Sequence, residues 1–130
     1  MVKFLLFVNS LYLGLGSFFS FFVAPILFRV LERQDAGRVV ERVFPVYFSI
    51  GLVISLFSLV LGYKLGKGVA LLALFNLLLH GVHLFYVLPT ADALKTIDYQ
   101  AFMKWHGISM AMNVLSLLIT FTLCIVLMRK

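Results

Sequence analysis

Apolar runs alternate along the chain with short charged clusters. The clusters lie at 29–42, 64–67, 92–104 and at the two ends. Between them run four stretches whose only titratable side chains are histidine, tyrosine and one cysteine. A helix that crosses a bilayer needs about 20 apolar residues, and each stretch meets that length. The pattern predicts helices over about 3–33, 35–63, 69–89 and 98–128. Gln34-Asp35-Ala36-Gly37 reads as a tight connection with Asp35 as the cap of the second helix. Lys64–Gly68 reads as a basic turn, Pro89 as the end of the third helix, and Thr90 and Asp98 as candidate caps. Connectors this short join neighbours as antiparallel hairpins. The expected fold class is all-α: an integral membrane, up-down-up-down four-helix bundle forming a single transmembrane domain over 1–130.

Composition strengthens the membrane reading. Of 130 residues, 63% are hydrophobic and 12% charged, against about 45–50% apolar in soluble domains. Mean hydropathy is +1.10. Lys3 ahead of an apolar run resembles a secretory signal, but the run from Phe4 to Phe28 exceeds the roughly 7–15 residues of a signal core. We read it as a retained first helix. The net charge of +6 suits anionic lipid headgroups, and the expected partner is the lipid bilayer rather than nucleic acid. Lone Cys124 forms no internal disulfide. Lys3, Lys64, Lys67, Arg129 and Lys130 lie on the side of the termini; Arg29, Arg33, Arg38, Arg42, Lys95 and Lys104 lie opposite. Counting basic residues is nearly a tie, and all the acids lie on the second side. The expectation is a multi-pass protein of a cell (inner) membrane with cytoplasmic termini.

Two finer patterns run through the apolar stretches. Gly16, Ser20 and Ala24 line one face of the first helix, and Gly51, Ser55, Ser58 and Gly62 form a similar register on the second. Small faces let helices approach closely in lipid, so the first is expected to pack on itself, as a homo-oligomer, or on a larger membrane complex. The second pattern is polar. His106, Ser109, Asn113, Ser116 and Thr120 share one face of the fourth helix, and Asn76, His80 and His83 one face of the third. Polar side chains at membrane depth turn away from lipid. At the helical rise, His83, His80 and Asn76 lie roughly 9, 13 and 20 Å in from Pro89. Ser109, Asn113 and Ser116 lie about 8, 13 and 18 Å in from Lys104. The levels predict a polar zipper that pairs His83 with Ser109, His80 with Asn113 and Asn76 with Ser116.

The same residues admit other chemistry. Haem needs axial ligands at matching depth, and the candidates are His80, His83, His106 and Met110. Copper(I) favours thioether and imidazole, and Met103, His106 and Met110 share a face. Neither cofactor is favoured over the zipper. There are no paired carboxylates in an apolar stretch, no nucleophile elbow and no phosphate loop. The reading therefore leans away from an enzyme. It leans towards a structural or accessory membrane bundle, with a ligand-binding or transport module as the alternative.

The stretch "FFVAPILFRVLERQDAGRVVERVFPVYF" (21–48) resembles the first hairpin of the transmembrane protein 205-like family, through Val23-Ala24-Pro25, Phe28, Leu31, Ala36-Gly37, Phe44 and Tyr47. Asn76, Pro89 and "WHGISMAMN" (105–113) resemble its second half, so the likeness covers nearly the whole chain. It implies a small four-helix membrane protein of a domain-of-unknown-function family, with no established reaction. That family is similar in architecture to copper-resistance protein D-like proteins and to protoporphyrinogen-oxidase-like proteins of haem metabolism.

Overall fold

The computed structural model describes residues 1–130. Every element is helical. Four rods, α1 (Val2–Val30), α2 (Arg33–Leu65), α3 (Lys67–Leu94) and α4 (Tyr99–Met128), are each long and apolar enough to span a membrane. They form a four-helix bundle in which α1 packs against α2 and α4, and α3 packs against the same two. At 28 to 33 residues per rod, the helices are about 42–50 Å long. That exceeds the roughly 30 Å hydrocarbon core, so the charged helix ends project beyond it.

The turns are tighter than the charge pattern suggested. The first connection falls at Leu31 and Glu32, both extended, and α2 already begins at Arg33. Asp35 is therefore not the cap. It sits in the first turn of α2, 3.4 Å from Arg38, where its charge suits the positive end of the helix dipole. Gly66 makes the turn into α3 with φ of 135°, a conformation reserved for glycine. Asp98 does cap α4, its carboxylate accepting from the Ala101 amide at 3.2 Å.

Pro89 does not end α3. The helix continues to Leu94 because the turn before the proline, His83–Val87, widens to π geometry. The Leu88 amide donates to the His83 carbonyl, five residues back. A proline has no amide hydrogen, and its ring collides with the carbonyl four residues earlier; the wider turn relieves both faults. The same device precedes Pro25, with a π turn at Phe19–Val23 and Ala24 donating to the Phe19 carbonyl.

The small-residue registers face inward rather than outward. A Cβ on Gly16 would collide with Tyr47, and 2.8 Å from it would lie Leu117 Cδ2. A Cβ on Gly51 would collide with Tyr12 and with His80. The two notches are reciprocal: Tyr12 and Gly16 are one turn apart on α1, Tyr47 and Gly51 one turn apart on α2. Each tyrosine occupies the other helix's glycine notch, and the two rings stack 4.9 Å apart. On the Gly16, Ser20 and Ala24 face expected to meet an external partner, Gly16 is thus occupied by Tyr47 and Ser20 bonds Asn113 of the same chain.

At the end bearing the termini, Leu5, Val69, Leu123 and Leu127 close the bundle with an apolar plug. The opposite end is open.

Candidate functional site

Between plug and open end runs a column of buried polar side chains from all four helices. Nearest the plug, Asn9 Nδ2 donates to Ser58 Oγ at 2.9 Å and to its own helix at the Leu5 carbonyl. Further in, Asn76 uses both ends of its amide. Its Nδ2 donates to Thr120 Oγ1 at 2.9 Å, and its Oδ1 accepts from Ser116 Oγ at 3.0 Å. The single Ser116 hydroxyl proton is thus committed to Asn76. His80 Nε2, 3.0 Å from the same oxygen, must then carry a proton and donate. This assigns the proton on Nε2 of His80.

One turn closer to the open end, Asn113 bridges the diagonal. Tyr47 OH donates to Asn113 Oδ1 at 3.0 Å, and Asn113 Nδ2 donates to Ser20 Oγ at 2.7 Å. His83 Nε2 and Ser109 Oγ share a 2.5 Å hydrogen bond, and the His83 ring lies against Phe48 with centroids 3.9 Å apart. Tyr12 OH is the one buried side-chain polar atom without a partner, although its ring meets His80 edge-on.

The structure thus brings together Asn76 with Ser116 and His83 with Ser109. It does not bring His80 to Asn113; His80 bonds Ser116, one turn further from the open end, and Tyr47 and Ser20 take Asn113. Depths along α3 and α4 alone leave no place for Asn9, Ser20, Tyr47 and Ser58 of the other two helices. A depth comparison across all four helices would have exposed them, since each is a polar residue at a level occupied by a partner. The metal and haem candidates separate. His80 and His83 are buried with Nε2 engaged, Met110 lies on the outside, 58% exposed, and Met103, 41% exposed, lines the same cleft as His106. His106 is half-buried and stacks on Phe102. Nowhere do three or more His, Cys, Asp or Glu side chains gather as a metal shell.

His106 and Ser109 instead form part of the wall of a cleft at the open end, with a volume of about 820 Å³. Its apolar wall includes Phe28, Phe44, Leu88 and Phe102 from all four helices. Its rim carries Arg33, Arg38, Glu41, Asp92 and Lys95. Lys95 and Glu41 tie α3 to α2 at 2.7 Å. The Arg33 guanidinium lies 5.4 Å over the Tyr99 ring and has no carboxylate partner. The cleft is of ligand-pocket size, about 300–1,000 Å³, and has the usual mixture of apolar wall and a few polar groups. Ser109 joins it to the buried column, because the residue that lines the cleft also bonds His83.

Fold and site together define a small four-helix membrane protein with a polar core and a cleft at one end. Residues 7–100 match the family described as Domain of unknown function (DUF4149), and the chain belongs to that family. It is also 50% identical over 121 residues to an uncharacterized protein of Aquifex aeolicus (strain VF5), covering 93% of this chain and 92% of the relative. No solved structure matches it.

Proposed function

We propose that this chain is a membrane binding module, a single transmembrane domain that admits a small ligand from one face of the membrane. The cleft carries the reading: about 820 Å³, aromatic within and charged at its rim. The apolar plug at the other end argues for binding rather than passage through the bundle. The hydrogen bonds between α3 and α4 set helix register beneath the cleft, which is their accessory role. Interhelical bonds of this kind contribute only about 0.6 kcal/mol each, so their value lies in specificity. Ligation of haem or copper through Nε2 of His80 or His83 would first have to displace Ser116 or Ser109, and no three His, Cys, Asp or Glu side chains gather there, which weakens that alternative. A closer kinship with the transmembrane protein 205-like family rests on the motifs at 21–48 and 105–113. We place the protein in the cytoplasmic membrane with its termini inside, where Lys3, Lys64, Lys67, Arg129 and Lys130 have no acidic neighbour in sequence.

The test uses Gly37, which lines the cleft and has nothing within 4 Å of where a side chain would start. Gly37→Trp fills the cleft without touching the core. Native mass spectrometry of protein extracted in mild detergent is expected to show a retained small molecule on the wild type and none on Gly37→Trp. Equal spectra with no retained molecule on either would overturn the reading.

A further inference from the structure

Resting on that reading, we infer that the cleft takes an amphiphile with an apolar body and one anionic group, a phosphate or a carboxylate, seated on Arg33. Three observations converge on this class. First, the fixed charges are not interchangeable. Lys95 is neutralised by Glu41 at 2.7 Å and Arg38 is drawn to Asp35 at 3.4 Å, which leaves Arg33 as the rim cation without a carboxylate. Second, the Tyr99 ring packs against the Arg33 guanidinium, which limits its rotamers while supplying no hydrogen-bond acceptor in the plane of the fork. A planar guanidinium held this way presents paired N–H donors suited to carboxylate or phosphate oxygens. Third, the wall below the rim is aromatic, through Phe28, Phe44 and Phe102, and cannot satisfy a wholly polar anion.

One carboxylate narrows the class further. Asp92 lines the same cleft with no cation paired to it, so a second anionic group on the ligand meets repulsion. That favours one anionic group over a polyanion such as a nucleotide. His106, half-buried in the wall and stacked on Phe102, offers a ring nitrogen to a polar atom partway along the ligand.

The experiment is equilibrium binding of radiolabelled dodecyl phosphate to the full chain in phosphatidylcholine nanodiscs, with empty nanodiscs as the blank. Saturable binding near one per chain is expected. Arg33→Gln should weaken it by about tenfold or more, the loss of one charge-assisted partner, while Arg29→Gln and Arg42→Gln, outside the cleft, leave it unchanged. Gly37→Trp should abolish it. Dodecyltrimethylammonium and inorganic phosphate should not compete. Nanodiscs made with phosphatidate separate the sources: competition there identifies a membrane lipid as occupant, and its absence a free amphiphile, both within the proposed class. Equal competition by dodecyltrimethylammonium overturns the anionic class and leaves the binding module intact. Displacement by inorganic phosphate overturns the requirement for an apolar body. Binding no greater than the blank overturns the proposed class, and if native mass spectrometry also finds nothing retained on the wild type, the binding module falls with it.

Discussion

Replacing Gly51 by alanine puts a methyl carbon where two other side chains already sit. The new Cβ would lie 2.6 Å from His80 Cε1 and 2.7 Å from His80 Nε2, and closer still to Tyr12 OH. Ordinary carbon contacts begin near 3.5 Å, so the ring must retreat by about 1 Å. His80 Nε2 sits 3.0 Å from Ser116 Oγ, and a retreat of that size puts the bond at risk. Overpacking costs about 1–3 kcal/mol, and a lost interhelical bond adds about 0.6, with an upper value near 1.7. Alanine's better helix propensity returns about 0.8–1.0 kcal/mol. The expected net loss is about 1–3 kcal/mol. Gly81→Ala and Gly107→Ala are the controls, because nothing lies within 4 Å of either added carbon. They should be neutral or stabilising by up to about 1 kcal/mol. Tyr12→Phe removes the unpartnered hydroxyl that crowds Gly51 and should restore part of the loss in the double variant. The assay is reversible unfolding in mixed micelles followed by circular dichroism. Equal stability for the Gly51 and Gly81 variants would refute the notch argument.

Other expectations follow from the same contacts. Asn113→Ala strands Tyr47 OH and Ser20 Oγ, so it should cost about 1–2 kcal/mol. A double-mutant cycle with Tyr47→Phe should show coupling of about 0.5 kcal/mol or more by unfolding. Lys95→Ala breaks the tie to Glu41, but both side chains are near 40% exposed. The loss should stay below about 1 kcal/mol and shrink further at high salt. For orientation, a green fluorescent protein fused after Lys130 should fluoresce, and alkaline phosphatase inserted in the connector before Asp98 should be active. The reverse pair of results would invert the topology.

How much of this was legible in the sequence depended on which physical signal each feature leaves. Four spanning helices follow from apolar length alone, and that pattern survives small errors at the ends. The turn at Leu31 and Glu32 left a weaker mark, because Arg33, Gln34 and Asp35 are as acceptable in a first helical turn as in a loop. Pro89 misled for a definite reason: a proline stops a regular α-helix, but a π turn six residues ahead of it leaves no composition signature. The polar stripes on α3 and α4 showed in their spacing, since histidine and asparagine are conspicuous in apolar runs. Their partners on α1 and α2 did not, because spacing within one helix leaves unnamed the partner that a deep tyrosine such as Tyr47 or a lone serine such as Ser20 meets on another. The inward turn of Gly16 and Gly51 depends on which tyrosine faces which glycine, and spacing within one helix cannot specify that. The cleft was the least legible feature. Its wall draws on all four helices, and its residues looked in sequence like an ordinary solvated face.

The most direct test of the account is the water accessibility of the cleft and column. In a Cys124→Ala background, single cysteines at His106 and at Ser116 are exposed to a membrane-impermeant maleimide from each side of the membrane. The account predicts rapid labelling of the His106 position only from the side of the open end, opposite the termini, slowed by dodecyl phosphate and by Gly37→Trp, with the Ser116 position silent from both sides. Labelling of the Ser116 position from the side of the termini, or an inert His106 position, would contradict a cleft that opens at one end above a sealed polar column.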